Sequence, residues 1–325
     1  MATVLIVTAL VGLWVAQRRG LFDDAPERVV PAISPVGSAI AVAAGRAASA
    51  PGVAMAAAPA ASSAELICGL GQVDFDPSDK EQIEKLARDA NEGLQAYRQR
   101  VLPGWLEEMK DSADEPTRAI AWFAEAIESW RTKGLKAAEE QNKPWAKTGV
   151  RFDGLDELAR LADRSSDPKV YALAMSACGL LSDDPATTPC GLLSFAEWAR
   201  RDPSNGYPWL LAVGQAPKGS AQRSELIERA MASGEVRVPW GLAHALLTKA
   251  LPATGSRLDR SVVAFEAMAL DGIQTMPPIG LMDYCREEEL RKGERRTQCD
   301  RLAAFLAEKS DSLLLRKFAR NIGRN

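Results

Sequence analysis

The feature that most limits what this chain can fold into is a tract of about forty residues, 25–64, that holds little besides Ala, Pro, Ser, Gly and Val. Its only charges are Glu27, Arg28 and Arg46. Such a stretch cannot bury enough side-chain surface to offset the entropy of ordering it, so residues 20–64 are expected to form a disordered tether. Flexible, with semi-extended Pro segments, it lets its cargo roam tens of ångströms. Any core must come from the roughly 260 residues that follow, enough for one large domain or two small ones.

Ahead of the tether, Ala2 to Ala16 runs without a charge and is closed by Arg18 and Arg19. As a helix this run spans roughly 23 Å, a little short of a bilayer core, which snorkelling flanks or local thinning accommodates. Residues 1–19 therefore read as a transmembrane anchor. A cleaved signal peptide is the competing reading, but no Ala-x-Ala follows until Ala48-Ser49-Ala50, too far downstream for cleavage. The absence of a basic residue before the run suggests that the chain begins further upstream. Arginines on its C-terminal side argue for a cytoplasmic domain. The low-complexity spacer and the cysteine spacing argue for the periplasmic side of the inner membrane, which is the orientation favoured.

Charge excludes one class of partner. With 40 basic and 43 acidic residues the formal charge is −3, without the basic excess of a nucleic-acid binder. The basic cluster Arg316, Lys317, Arg320 and Arg324 is short enough to be a helix-end preference.

Wherever a period is visible it is 3.6 residues, and the fold class expected is all-α. Ile83, Leu86, Ala87, Ala90, Leu94, Tyr97 and Val101 share one face of a long helix, preceded by Ser78 and Glu81 at capping-box spacing. Ile120, Phe123, Ala124, Ile127 and Trp130 share the face of another. The same capping spacing recurs at Ser194 and Glu197. Strand-like alternation is confined to Gln72–Phe75 and Glu235–Val238.

Residues 65–164 form an N-terminal helical region, and 165–325 show a further period. Pro168, Pro203, Pro239 and Pro278 lie 35, 36 and 39 positions apart, each followed within six residues by an aromatic. Proline is tolerated in a helix's first turn, so these prolines are expected to open successive helical hairpins, stacked as a short right-handed or irregular α-solenoid. The segment from Trp198 to Ser233, with its Asp-Pro-x-Asn turn, its Trp-Leu-Leu helix start and small residues at Ala230 and Ser233, resembles a degenerate tetratricopeptide-type repeat. Over residues 165–325 that resemblance implies an interaction surface with no catalytic residues.

Cysteine spacing adds a device. Cys178 and Cys190 flank a turn-like SDDPATTP, and Cys285 and Cys299 flank REEELRKGERRTQ; each pair is expected to close a helical hairpin. Free thiols are the alternative. Cys68 is left over. The catalytic inventory is thin: His244 is the only histidine, Gly69-Leu70-Gly71 lacks the rest of a phosphate loop, and Cys-x-x-Cys is absent. Neither metal nor cofactor is expected. Glu287–Glu289 and Asp183-Asp184 read as solvated surface rather than as a carboxylate pair.

Tryptophan is enriched at Trp105, Trp122, Trp130, Trp145, Trp198, Trp209 and Trp240, mostly as expected core, with a sugar- or peptide-stacking groove as the minority reading. The expected function is that of a non-enzymatic, membrane-anchored interaction or scaffolding module of the cell envelope. It would bind a protein or peptide through exposed aromatics such as Tyr207 and Trp240. The alternatives are a glycan-active enzyme with carboxylates in a Trp-lined cleft, or a cytoplasmic-side membrane adaptor.

Overall fold

A computed structural model describes residues 65–67, 71–73, 79–141, 150–182, 188–250, 256–274, 278–286 and 293–322. The expected anchor and tether, Ser78, the side chains of Ile83 and Ala87, Cys68, Trp145, Arg324 and the acidic runs at 183–184 and 287–289 lie outside them. Among the described residues no helix is long and apolar enough to cross a membrane. The chain divides into residues 1–65 with 72–83 and residues 66–71 with 84–325. The core, the cleft and the helix surface described below belong to the second unit.

The architecture is all-α apart from two three-residue strands, β1 (Glu65–Ile67) and β2 (Gly71–Val73). The helices are α1 (Lys80–Lys110), α2 (Glu115–Ser129), α3 (Leu135–Gln141), α4 (Leu155–Arg164), α5 (Pro168–Leu181), α6 (Phe195–Arg201), α7 (Tyr207–Ala212), α8 (Ala221–Ala232), α9 (Leu242–Ala250), α10 (Arg257–Gln274), α11 (Ile279–Tyr284), α12 (Gly293–Lys309) and α13 (Leu313–Ile322).

Local chemistry explains where these begin. Asp79, one residue beyond the expected cap, accepts the Gln82 N–H at 3.1 Å at the start of α1. Asp114 takes both the amide (3.2 Å) and hydroxyl (2.6 Å) of Thr117 to open α2. Asp167 accepts the Lys169 N–H ahead of Pro168, and Ser194 accepts the Glu197 N–H at 3.1 Å. Each satisfies a backbone donor that the helix itself cannot. Of the four prolines only Pro168 sits in the first turn of a helix, α5; Pro278 is the residue before α11, and Pro203 and Pro239 lie in the connections ahead of α7 and α9.

Helix α5 is the hub. Val170, Tyr171, Leu173, Ala174 and Ala177 are fully inaccessible to solvent, so it is apolar all round, as a helix enclosed by others must be. It packs against α2, α4, α6 and α10. The α2 face is Ile120, Phe123, Ala124 and Ile127, all buried. Sequential pairing joins α6 to α7, α7 to α8, α9 to α10 and α12 to α13, while α2 with α9 and α8 with α12 are long-range packings.

The long helix α1 corrects the expected face. Leu86, Ala90, Leu94, Tyr97 and Val101 are only half-buried, whereas Arg98, Leu102, Leu106 and Met109 are buried. The cause is electrostatic: the Arg98 guanidinium grips Glu266 of α10 (Nε to Oε2 2.6 Å, Nη2 to Oε1 3.1 Å) and Glu128 of α2 (2.6 Å). Arg131 adds a contact to Glu266 at 3.3 Å. Burial opposes the Arg98 charge, but Glu266 and Glu128 outweigh it and raise its pKa.

Toward the C-terminus a buried amide organises the polar core. Gln298 Oε1 accepts the hydroxyls of Tyr284 (2.6 Å) and Ser224 (3.0 Å), and its Nε2 donates to the Ser224 carbonyl and to Glu228. Cys178 is bonded to Cys190 and Cys285 to Cys299, with Cα atoms 5.6 and 5.9 Å apart. One close approach is tight enough to demand glycine: a Cβ on Gly280 of α11 would come within 2.2 Å of the Gly214 Cα just after α7.

Candidate functional site

The Asp202-Pro203-Ser204-Asn205-Gly206 turn organises the most elaborate surface feature of the chain. Asn205 is buried and uses all of its side chain: Oδ1 accepts the N–H groups of Tyr207 (3.0 Å) and Arg237 (2.9 Å), and Nδ2 donates to Asp202 and to the Arg237 carbonyl, both at 3.0 Å. Gly206 follows because a Cβ there would meet the Ala230 carbonyl oxygen at 2.5 Å. The turn thereby pins an extended segment, residues 235–238, whose other edge pairs with the end of α12. There Val236 N–H donates to Lys309 O and Asp311 N–H to Val236 O, each at 3.0 Å, and Asp311 Oδ1 accepts the Val238 N–H at 3.0 Å.

That bracing fixes the next turn. Trp240 N–H donates to Val238 O at 2.7 Å, and Gly241 adopts φ +81°, a backbone conformation open to glycine at no steric cost. Buried Asp271 reaches across from α10 to cap α9, accepting from Ala243 N–H (2.9 Å) and His244 N–H (3.4 Å). Burial raises the Asp271 pKa against the pull of those amides. The result is a tryptophan 67 % exposed on a rigid turn.

Trp240 and Pro239 line an open cleft of about 440 Å³ together with Pro168 and Lys169 at the start of α5, Arg237 and Asp311. Trp198, 2 % exposed, is also part of its lining. Its acidic groups are engaged: Asp202 meets Arg237 (2.5 Å) and Asn205, while Asp311 holds the Val238 amide.

Of the two aromatics expected at a partner surface, Trp240 is exposed and Tyr207 is not. Tyr207 is 1 % exposed and stands edge-on to Trp198 with ring centroids 5.9 Å apart. Its backbone N–H is held by Asn205 at the first turn of α7, and its ring packs into the core against Trp198. Burial, then the charge of Asp311, raises its pKa. Among the other tryptophans, Trp130 and Trp198 are buried and Trp105, Trp122 and Trp209 pack partly against the core. His244 is exposed on α9. In the sequence Asn205 stands out only as part of the Asp-Pro-x-Asn turn, and Arg237 and Asp271 carry no local signal.

Among the described residues no group of three His, Cys, Asp or Glu side chains is placed to hold a metal ion. Comparison with protein-family models, with curated proteins and with solved structures finds no match.

Proposed function

We propose that this chain is a membrane-anchored interaction module of the cell envelope that holds an extended peptide or protein segment in the Trp240 groove. The observation that carries this is the exposure of Trp240 on a turn braced from three sides. A large aromatic held rigid beside prolines offers contact area at little entropic cost, the usual property of a binding hot spot. Lys169, which lines the groove, supplies a donor for the carbonyls or carboxylates of a bound chain, while Arg237 is held by Asp202 and Glu235. The groove carboxylates are already engaged, which favours binding over glycan cleavage. Two disulfides suit a domain outside the cytoplasm.

The test places a photoreactive phenylalanine at position 240, or at exposed position 244 as control, in the full chain in its native membrane. A discrete adduct from position 240 alone is expected. Equal labelling from both positions, or none from 240, would overturn the proposal. Trp240→Ala should abolish the interaction while changing stability by no more than about 0.5 kcal/mol, as read by thermal melting.

A further inference from the structure

Helix α13 packs one side against α12 and turns the other to solvent. Leu315, Ala319 and Ile322 are buried, and Phe318 packs partly against the same core. The helical period puts Leu313, Leu314, Lys317, Arg320 and Asn321 on the opposite arc, and all five are exposed. Leu313 is 80 % exposed and Leu314 61 %. Two leucines left in water side by side mark a surface that gains from being covered.

The charge on this arc is one-sided. Helix α13 contains Arg316, Lys317 and Arg320 and no carboxylate. Arg316 is tied by its Nε to the Ser310 carbonyl at 2.6 Å, while Lys317 and Arg320 have no ion-pair partner among the described residues. The carboxylates just ahead of the helix are engaged: Glu308 pairs with Lys309 at 2.7 Å, and Asp311 accepts the Val238 N–H at 3.0 Å. In a chain of formal charge −3, two uncompensated cations beside two bare leucines are a local exception. The arc is also the convex outer side of a helix, and none of its residues lines the Trp240 groove. A bound peptide is held in a concave slot, whereas apolar side chains that protrude beside cations suit a soft apolar phase with an anionic surface.

We propose that this face of α13 docks on an anionic lipid bilayer. Leu313 and Leu314 enter the boundary between headgroups and acyl chains, and Lys317 and Arg320 extend along it to lipid phosphates. The proposal rests on α13 alone, so it stands or falls apart from the peptide reading of the Trp240 groove and from the expected N-terminal anchor.

The test reconstitutes the full chain with vesicles whose acyl chains are brominated, made of phosphatidylcholine alone or of an equimolar mixture with phosphatidylglycerol. An environment-sensitive fluorescent amino acid is placed at position 314 or, as control, at exposed position 160 of α4. Bromine should quench the probe at 314 and not at 160, and the quenching should weaken when phosphatidylglycerol is left out. Lys317→Gln/Arg320→Gln, which removes exposed side chains without ion-pair partners, should melt like the parent. Each cation near an anionic surface contributes roughly fivefold to partitioning, so this variant should lower the docked-to-free ratio at least about tenfold. No quenching at 314, equal quenching at both positions, or indifference to phosphatidylglycerol and to the double substitution would each overturn the proposal. A blue-shifted but unquenched probe at 314 would overturn it too, since a second copy or another protein then covers the face.

Discussion

The N-terminal and C-terminal helices of the folded unit are closed by different chemistry. Around α1, α2 and α10 the closure is a buried charge cluster, Arg98, Glu128, Arg131 and Glu266, joining residues up to 168 positions apart. From α5 onward it is two disulfides over separations of 12 and 14 residues, with networks centred on the amides of Asn205 and Gln298. The contrast is one of dependence. A buried ion needs every partner present, since removing one leaves an uncompensated charge in a poorly solvating interior. A disulfide acts on the unfolded chain by restricting its loop, largely regardless of what surrounds the native bond.

The sharpest way to break this contrast is Glu266→Leu, which leaves Arg98 and Arg131 short of their shared carboxylate. A loss of about 3–5 kcal/mol is expected in denaturant unfolding. The double change Arg98→Met/Glu266→Leu should recover a substantial part of it, because neither charge then remains buried alone. If the double variant is as unstable as the sum of its parts, the cluster does not act as a unit.

Next in size is Cys178→Ser/Cys190→Ser, which should cost about 3 kcal/mol in the loop-entropy view. It should leave the helical circular dichroism of the folded state in place. Peptide mapping without reductant should show both cystine links in protein from its native compartment; free thiols at all four positions would move the domain toward the cytoplasm.

The smallest effect is acid dependence. Burial pushes the Glu128 carboxyl up, but Arg98 and then Arg131 hold it below the ordinary 4.5. A depressed carboxylate contributes stability above its unfolded-state value, and that contribution is lost as pH falls through the folded value. Between neutral pH and the region below 4.5, the parent should therefore lose more stability than Glu128→Gln does. Glu128 keeps 34 % of its side chain in solvent, which screens the effect. Parallel curves for the two proteins would remove Glu128 from the cluster's energetics.

The helical class, the buried α2 face and the Ser194 cap were legible in the sequence because each is decided within three or four residues. The cysteine pairs were legible as loop closures for a similar reason: 12 or 14 residues of turn and helix end bring the two side chains together. Asp79 accepts an amide at the start of α1, and the expected cap Ser78 lies outside the described residues. Arg98 was missed for a deeper reason. On α1 it stands among polar neighbours at a position that reads as solvated surface, and only Glu266, far along the chain, makes its burial tolerable.

Tyr207 and Trp240 give the same lesson in reverse. By composition they are equivalent, aromatics beside prolines after a turn, and that pattern alone does not separate them. Tyr207 packs into the core against Trp198, while the 235–238 segment and the Asp271 cap hold Trp240 out in solvent. The sequence by itself determined helices, caps and short covalent closures, because those free energies are set by neighbours in the chain. Which aromatic is core, which arginine is buried and where a groove opens were decided by tertiary structure alone, because desolvation depends on what arrives from elsewhere.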